Sequence, residues 1–363
     1  MRMKALTFLA VITFLLAVTG CGNSNKSASS TAAAADQNQA ASASEDSKAQ
    51  TGDSSKPSYE GVTVRIGYQG KGGLFGKIQE AKWFEEAFGE YGAKVEFSEF
   101  QSGPPMVEAM ASSHLDFAGM GNLPPIAAQA AGIDFKIVAQ TLSGKNNVAL
   151  LVSKDSPIKT VADLKGKKVA VTKGSNAFNF LYQLLEKEGI KESDLQIIQL
   201  QPDETQAAFE AGKVDAWSVW DPSITLNTAT GKARIIADGE SAGILSPSFQ
   251  LVRTEFADKY PELVVAYLKV IQKALDWQTA NNDEALQRYA DENKIPVEMM
   301  KGFQERSTYI NTPVSPETIA QQQATADFQY KLGTIRKQVD VSKVFDNSFI
   351  EQALKEYAEE NKS

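Results

Sequence analysis

Residues 115–142 read LDFAGMGNLPPIAAQAAGIDFKIVAQTL, a succession of two apolar strand patterns with a helical pattern between them. The pattern predicts strands at 115–120 and 135–142 and a helix at 124–131. A strand–helix–strand unit of this kind makes a right-handed crossover and places its two strands in parallel. This segment therefore predicts an α/β fold with a mostly parallel sheet.

The same alternation extends in both directions from this unit and predicts two α/β units. Further strands are predicted at 62–68, 94–100, 148–153, 168–172, 196–200, 214–220 and 233–237, with helices at 78–88, 177–188 and 204–212. After residue 252 the pattern is helical almost to the C-terminus, and we expect Trp277, Leu286 and Tyr289 in its core. A chain of 363 residues is long enough for two such units and a helical C-terminal tail.

The N-terminus predicts export and a lipid anchor. Residues 1–20 have a basic start and an apolar run from Ala5 to Val18, which is typical of a signal peptide and too short to span a bilayer comfortably. The run ends in VTGC, which resembles the bacterial lipobox, so we expect Cys21 to be acylated. Residues 21–58 are rich in Ser and Ala and predict a disordered tether. The folded body would then be held at the extracytoplasmic face of the cell membrane.

Charge and composition exclude several classes of function. The formal net charge is −8, whereas nucleic-acid binding needs a concentrated basic surface. The sequence has one Cys and one His, too few for most metal sites. With Cys21 used by the lipid, a nucleophile–base pair would depend on His114, which we expect at the surface. We therefore predict no metal, no cofactor and no enzyme activity.

Four polar loops stand where a strand pattern ends. They are 101–105 (QSGPP), 121–125 (GNLPP), 173–178 (KGSNAF) and 220–222 (WDP). Free N–H groups at a helix start can bind an anion, although Ser, Asn and Asp also serve there as ordinary caps. In α/β proteins ligands bind at such strand ends, and between two units the cleft is the expected site. Trp217 and Trp220 should face opposite sides of their strand, one in the core and one at the cleft.

Motifs in these loops resemble the aliphatic sulfonate-binding proteins of ABC importers, within the wider nitrate, sulfonate and taurine group. The motifs are QSGPPMVEA (101–109), LDFAG (115–119), NLPPIAAQAAG (122–132), DSPIKTVADLKGKKVAV (155–171), KGSN (173–176) and VDAWSVWDP (214–222). The resemblance implies a type II periplasmic-binding-protein fold, with two α/β lobes joined by a hinge. It places 59–153 and 246–363 in lobe 1 and 154–245 in lobe 2.

The resemblance also implies which residues bind the ligand. The candidates are Gln69, Ser102, Gly103, Asn122, Leu123, Ser175, Asn176, Phe178, Trp220 and Asp221. Hydroxyl, amide and helix-end N–H groups would hold the sulfonate oxygens, and Gln69, Trp220 and Phe178 would border the organic part. Asp221 either caps its helix or binds an amino group of the ligand.

The implied function is capture of an aliphatic sulfonate for sulfur acquisition and its delivery to a membrane permease, by a protein expected to be monomeric. Relatives in this group bind taurine, nitrate or thiamine-precursor pyrimidines, so these ligands remain alternatives. A heterocycle would stack on Trp220 and Phe178 and place its charge on Asp221.

Overall fold

The structure is a computed structural model that describes residues 56–70 and 73–362. The predictions for the signal peptide, for Cys21 and for most of the tether lie outside this range. Within it, no helix combines the length and the apolar character needed to cross a membrane.

The described residues form strands and helices in alternation up to residue 253. The strands are β1 (Thr63–Gln69), β2 (Lys94–Phe100), β3 (Phe117–Gly121), β4 (Phe135–Leu142), β5 (Val148–Ser153), β6 (Lys168–Val171), β7 (Gln196–Gln199), β8 (Ala216–Trp220), β9 (Ala233–Asp238), β10 (Ser248–Arg253) and β11 (Tyr309–Thr312). The helices are α1 (Gly73–Glu80), α2 (Trp83–Gly89), α3 (Gly103–Ala111), α4 (Leu123–Ala131), α5 (Asn176–Lys187), α6 (Pro202–Glu210), α7 (Ser223–Ala229), α8 (Gly239–Ala242), α9 (Thr254–Lys259), α10 (Pro261–Ala280), α11 (Asn282–Asn293), α12 (Lys301–Arg306), α13 (Pro316–Leu332) and α14 (Ser348–Glu360).

The strands form two mixed sheets, one in each lobe. The first sheet has the order β11-β4-β10-β3-β1-β2, with β1 parallel to both β2 and β3 and with β10 antiparallel between β3 and β4. The second has the order β7-β6-β8-β5-β9, in which β5 is antiparallel to β8 and β9. The sheets and the C-terminal helices confirm the type II periplasmic-binding-protein fold.

The expectation of a mostly parallel sheet is wrong, because β10, β11 and β5 pair antiparallel with their neighbours. Two further sequence predictions are corrected. The strand at 148–153, which the predicted boundary placed in lobe 1, pairs within the second sheet, so that lobe begins before Val148. Its residues are buried on both faces up to Val152, which only a central strand allows. The helix predicted at 78–88 is two helices, because Lys82 adopts a left-handed conformation (φ 55°) between α1 and α2.

The chain crosses between the sheets twice, and the two crossings contact each other. Gly144 has φ +80°, and a Cβ there would lie 2.1 Å from the Pro247 nitrogen. Ser246 donates its N–H to the Gly144 carbonyl at 2.8 Å, and the Asn147 amide donates to the Ser246 carbonyl at 3.1 Å. Only glycine permits this close approach, and the two crossings together form the connection between the lobes.

The C-terminal helices pack on both lobes. α10 buries an apolar face on the first sheet, where the Tyr267 ring stacks on Phe117 at 4.2 Å. In contrast, α13 contacts the second lobe, since Gln329 Nε2 donates to Asn179 Oδ1 at 2.9 Å. The tail therefore does not belong to the first lobe alone, and β11 interrupts its helical pattern.

Candidate functional site

A cavity of about 340 Å³ lies between the two lobes. Its lining comes from the ends of β1, β3 and β4, from the start of β10, from the second-lobe loops at 176 and 220–223, and from the C-terminal helices. We refer to this cavity as the cleft. It lies at the carboxyl ends of the parallel strands, where an α/β sheet presents loops and helix starts to a ligand.

On the first-lobe side of the cleft, amide side chains are held by hydrogen bonds within that lobe. Gln69, at the end of β1, donates from Nε2 to the Gly119 carbonyl at 3.0 Å and lines the cleft as expected. Gln250 also lines the cleft, and its Oε1 accepts a hydrogen bond from the buried Tyr267 hydroxyl at 2.9 Å. These amides therefore have fixed orientations.

The second-lobe side presents Asn176 at the start of α5. Ser175 caps this helix, since its Oγ accepts from the Phe178 N–H at 3.1 Å, and Asn176 Oδ1 accepts from the Ala177 N–H at 3.0 Å. Asn176 Nδ2 has no hydrogen-bond partner among the described residues and is a donor available at the cleft. A Cβ on Gly121 would lie 2.7 Å from Asn176 Cβ, so the two lobes meet closely here.

Trp220 and Asp221 complete the second-lobe side. Trp220 lines the cleft while Trp217 is buried against Phe209, which confirms that the two indoles face opposite sides. Asp221 Oδ1 accepts from the N–H and the hydroxyl of Thr225, at 2.9 and 2.6 Å, and thereby caps α7.

Asp221 also has a cationic partner that the sequence analysis did not identify. Arg306 Nε donates to Asp221 Oδ2 at 2.8 Å, and Arg306 Nη2 donates to Thr225 Oγ1 at 2.6 Å. The Asp221 side chain is only 2% exposed, so its charge is compensated within the protein. No local pattern links residues this far apart in sequence.

The remaining sequence candidates lie beside the cleft without lining it. Ser102, Asn122 and Ser175 are buried directly before α3, α4 and α5, and Gly103 and Leu123 are the buried first residues of α3 and α4. The Ser102 hydroxyl donates to Gln201 Oε1 at 2.9 Å and so joins the two lobes. Their roles in ligand binding remain predictions.

The expectation that Phe178 forms a wall of the cleft is corrected. Its side chain is buried in the second-lobe core, and its ring stacks on Tyr182 at 4.2 Å. Phe178 lies two residues inside α5, on the face that packs against the sheet. The KGSNAF motif therefore extends from the cleft into the core.

Carboxylates are the charged groups of the described cleft lining, namely Glu99, Asp203, Asp221 and Glu292, and no Lys or Arg occurs in that lining. Burial raises the pKa of the half-buried Glu292 carboxyl, and the hydrogen bond from the Gly73 N–H opposes that rise. A ligand anion would therefore rely on neutral donors, namely amide, hydroxyl and backbone N–H groups. Among the described residues, no group of three or more His, Cys, Asp or Glu could hold a metal ion.

Two buried amide oxygens at the cleft lack partners. Asn147 Oδ1 and Asn311 Oδ1 accept no hydrogen bond from the described residues, although both amide nitrogens donate to backbone carbonyls. The donated bonds fix which end of each amide is the oxygen. These atoms are hydrogen-bond acceptors for a ligand or for water.

Comparison with known proteins identifies the family. The family described as NMT1/THI5 like matches residues 80–285. A Bacillus subtilis (strain 168) protein named for binding aliphatic sulfonates is 42% identical over 81% of this chain and 89% of its own length. An Escherichia coli (strain K12) protein with the same name is 34% identical over 77% of this chain and 86% of its own length.

A solved structure agrees with this assignment. The alkanesulfonate-binding protein from Xanthomonas axonopodis pv. citri bound to MOPS is 32% identical, with a TM-score of 0.74 over 80% of this chain and 99% of that one. These are transport binding proteins, which confirms the expectation that the chain is not an enzyme. The chain belongs to the NMT1/THI5-like family and is an extracytoplasmic substrate-binding protein of a sulfonate-type ABC importer.

Proposed function

We propose that the cleft captures an aliphatic sulfonate and that the protein delivers it to an ABC permease for sulfur acquisition. The observation that carries the proposal is the meeting of the α5 N-terminus at Asn176 with the end of β3 at Gly121, inside the cleft. The positive end of the α5 dipole favours an anion at such a point, although the Ala177 and Phe178 N–H groups already donate to Asn176 Oδ1 and Ser175 Oγ.

The chemistry of the lining supports a sulfonate. A sulfonate stays ionised at any ordinary pH, so neutral donors can hold it without a proton transfer. Asn176 Nδ2 is such a donor, and Asp221 is already neutralised by Arg306. The names of the two relatives above, and the MOPS bound to the Xanthomonas protein, support the same ligand class.

The alternative of a stacked heterocycle has less support. It requires Trp220 and Phe178 as two aromatic walls and Asp221 as a free charge, but Phe178 is buried in the core and Asp221 is paired. Taurine and nitrate also carry an anionic group, and the binding experiment that follows distinguishes them from larger sulfonates.

Titration calorimetry with ethanesulfonate, hexanesulfonate, taurine, nitrate, sulfate and a pyrimidine tests the proposal on the purified protein. We expect the sulfonates to bind and the pyrimidine not to bind. Binding of the pyrimidine alone would keep the fold assignment and overturn the ligand.

We also propose that Cys21 carries the lipid that anchors the protein at the outer face of the cell membrane. The support is the lipobox sequence that ends at Cys21, after the apolar run. Labelling of cells with radioactive palmitate should mark the native protein but not the Cys21→Ser variant. Equal label in both proteins would overturn lipidation at this residue.

A further inference from the structure

Helix α13 buries a stripe of polar side chains. Gln322, Thr325 and Gln329 lie at helical spacing, so they share one face of the helix. Gln322 is 2% exposed and Gln329 is fully buried. Burial of an amide costs free energy unless its polar atoms find hydrogen-bond partners. The hydrogen bonds of these two glutamines therefore indicate what the buried face of α13 does.

The two glutamines bind different lobes. Gln322 Nε2 donates to the Asn122 carbonyl at 2.7 Å, at the start of α4 in the first lobe. Gln329 Nε2 donates to Asn179 Oδ1 at 2.9 Å, near the start of α5 in the second lobe. The buried face of α13 therefore joins the two lobes through side-chain amides.

Both partners of these glutamines lie next to the point where the lobes meet in the cleft. Asn122 directly follows Gly121 in the chain. The Asn179 N–H donates to the Ser175 carbonyl at 3.1 Å, in the helical turn that includes Asn176. Gly121 and Asn176 both line the cleft. A shift of Asn122 or Asn179 would therefore move a residue of the cleft lining.

The helix that carries the two glutamines is capped at both ends. Ser315 Oγ accepts from the Thr318 N–H at 3.2 Å, and Gly333 ends the helix with φ 78°. Gln322 and Gln329 are two turns apart, which corresponds to about 10 Å along the helix axis. Because a capped helix of this kind keeps its shape, the two donors have a fixed separation. That separation sets the distance between the starts of α4 and α5.

We propose that Gln322 and Gln329 are positioning residues for ligand binding. They hold the starts of α4 and α5 in the relative position that a bound anion requires. Neither glutamine belongs to the described cleft lining, so both act through Asn122 and Asn179. The inference rests on the proposed function for the nature of the ligand. Loss of either amide should weaken ligand binding in a protein that is still folded.

The variants Gln322→Met and Gln329→Met test the proposal, because methionine keeps the length of the side chain and removes the amide. Titration calorimetry with ethanesulfonate measures the affinity. Each variant should bind at least about tenfold more weakly than the native protein, since one directional hydrogen bond to a helix start is lost.

The matched control is Gln323→Met, on the same helix. Gln323 donates from Nε2 to the Val339 carbonyl at 2.9 Å and accepts the Val341 N–H at 3.0 Å. These bonds join α13 to the segment that follows it and to neither helix start. The control variant loses hydrogen bonds of the same kind and should keep the native affinity.

Hydrogen exchange of the ligand-free protein gives a second readout, which general destabilisation would not reproduce. Exchange of backbone N–H groups should become faster at residues 121–130 in Gln322→Met and at residues 175–184 in Gln329→Met, since each helix start loses its anchor. Gln323→Met should leave exchange at both segments unchanged. Loss of global stability alone would instead accelerate exchange throughout the protein.

The outcomes separate this inference from the proposed function. Native affinity in both folded methionine variants overturns positioning, and so does an equal loss of affinity in Gln323→Met. Unchanged exchange at both helix starts also overturns it. If the native protein binds no sulfonate, the proposed function fails, and hydrogen exchange still decides whether the glutamines hold the helix starts. If a methionine variant does not fold, Gln322→Asn or Gln329→Asn replaces it, since the shorter amide cannot reach its partner.

Discussion

Arg306 and Asp221 are 85 residues apart in sequence and form an ion pair at the edge of the cleft, with Nε donating to Oδ2 at 2.8 Å. Arg306 ends α12 and Asp221 precedes α7, so the pair ties the C-terminal helices to the second lobe. The contact of Leu226 with the cluster around Phe303 accompanies it. The C-terminal helices that line the cleft are therefore held in place by contacts from both lobes.

Arg306→Leu should destabilise the protein by about 3 kcal/mol, because it leaves the buried Asp221 carboxylate without its cation. The bonds from Thr225 to Asp221 remain and limit the loss. Urea denaturation measures the change. The control is Lys331→Leu, which removes an exposed pair with Glu186 and should change stability by less than about 1 kcal/mol. If Arg306→Leu changed the free energy of unfolding as little as Lys331→Leu, the Arg306 pair would not contribute to stability.

Asn176→Asp should weaken sulfonate binding by at least about tenfold. The carboxylate replaces the free Nδ2 donor with a charge that repels the anion, while an acidic residue in the first turn of α5 suits the helix dipole. Calorimetry measures the affinity. Asn361→Asp adds the same charge at an exposed site at the end of α14 and should leave the affinity unchanged. An unaltered affinity in Asn176→Asp would place the ligand elsewhere in the cleft.

Gly121→Ala should impair closure of the cleft and reduce ligand affinity by about tenfold or more. The added methyl group would lie 2.7 Å from Asn176 Cβ, so β3 and α5 must move apart. Gly119→Ala, in the same strand, is a matched control because its Cβ would meet only the Gln250 amide oxygen at 3.4 Å. We expect small-angle scattering with ligand to show a more open shape for Gly121→Ala alone. If both alanines bind normally, the lobes do not need this contact.

Glu292→Gln should stabilise the protein at neutral pH and have no such effect near pH 4. The folded-state pKa of Glu292 is raised by burial, so the folded protein favours the protonated form. The protonated Glu292 favours the folded state below the unfolded-state pKa of about 4.3. This stabilisation is lost as the pH rises through the higher folded-state pKa. The glutamine stays neutral and its amide oxygen can still accept the Gly73 N–H. Thermal denaturation from pH 4 to pH 7 measures the melting temperatures of both proteins. The variant should melt at an increasingly higher temperature than the native protein as the pH rises. A constant difference in melting temperature would contradict the raised pKa.

Local sequence patterns predicted most of the secondary structure. The strands at Lys94–Phe100, Phe135–Leu142 and Val148–Ser153 have the predicted bounds, because alternating or continuous apolar residues report burial directly. The lobe boundary was predicted wrongly because the interactions that decide it join residues distant in sequence. Nothing near Val148 distinguishes a strand of the first sheet from a strand of the second, since pairing with β8 and β9 involves residues far along the chain.

The candidate site also has residues that local sequence predicts and residues that it does not predict. Asn176, Trp220 and Asp221 could be found in the sequence because a loop at a strand end is a local feature, and Gln69 was implied by the family resemblance. The apolar residues that the C-terminal helices place in the cleft lining, such as Leu275 and Phe303, could not be found in this way. An apolar residue on a helix has the same pattern whether it packs in the core or faces a cavity.

The sequence by itself determined the alternation of strands and helices, the family and the polar loops, since each of these is encoded within a few neighbouring residues. The tertiary structure decided which loops reach the cleft, which amides are free and that Arg306 neutralises Asp221. Burial and pairing are properties of the packed chain, and they depend on contacts between residues that no local pattern connects. The C-terminal helices reach the cleft lining, at Leu275 and Phe303 among others, only through such contacts.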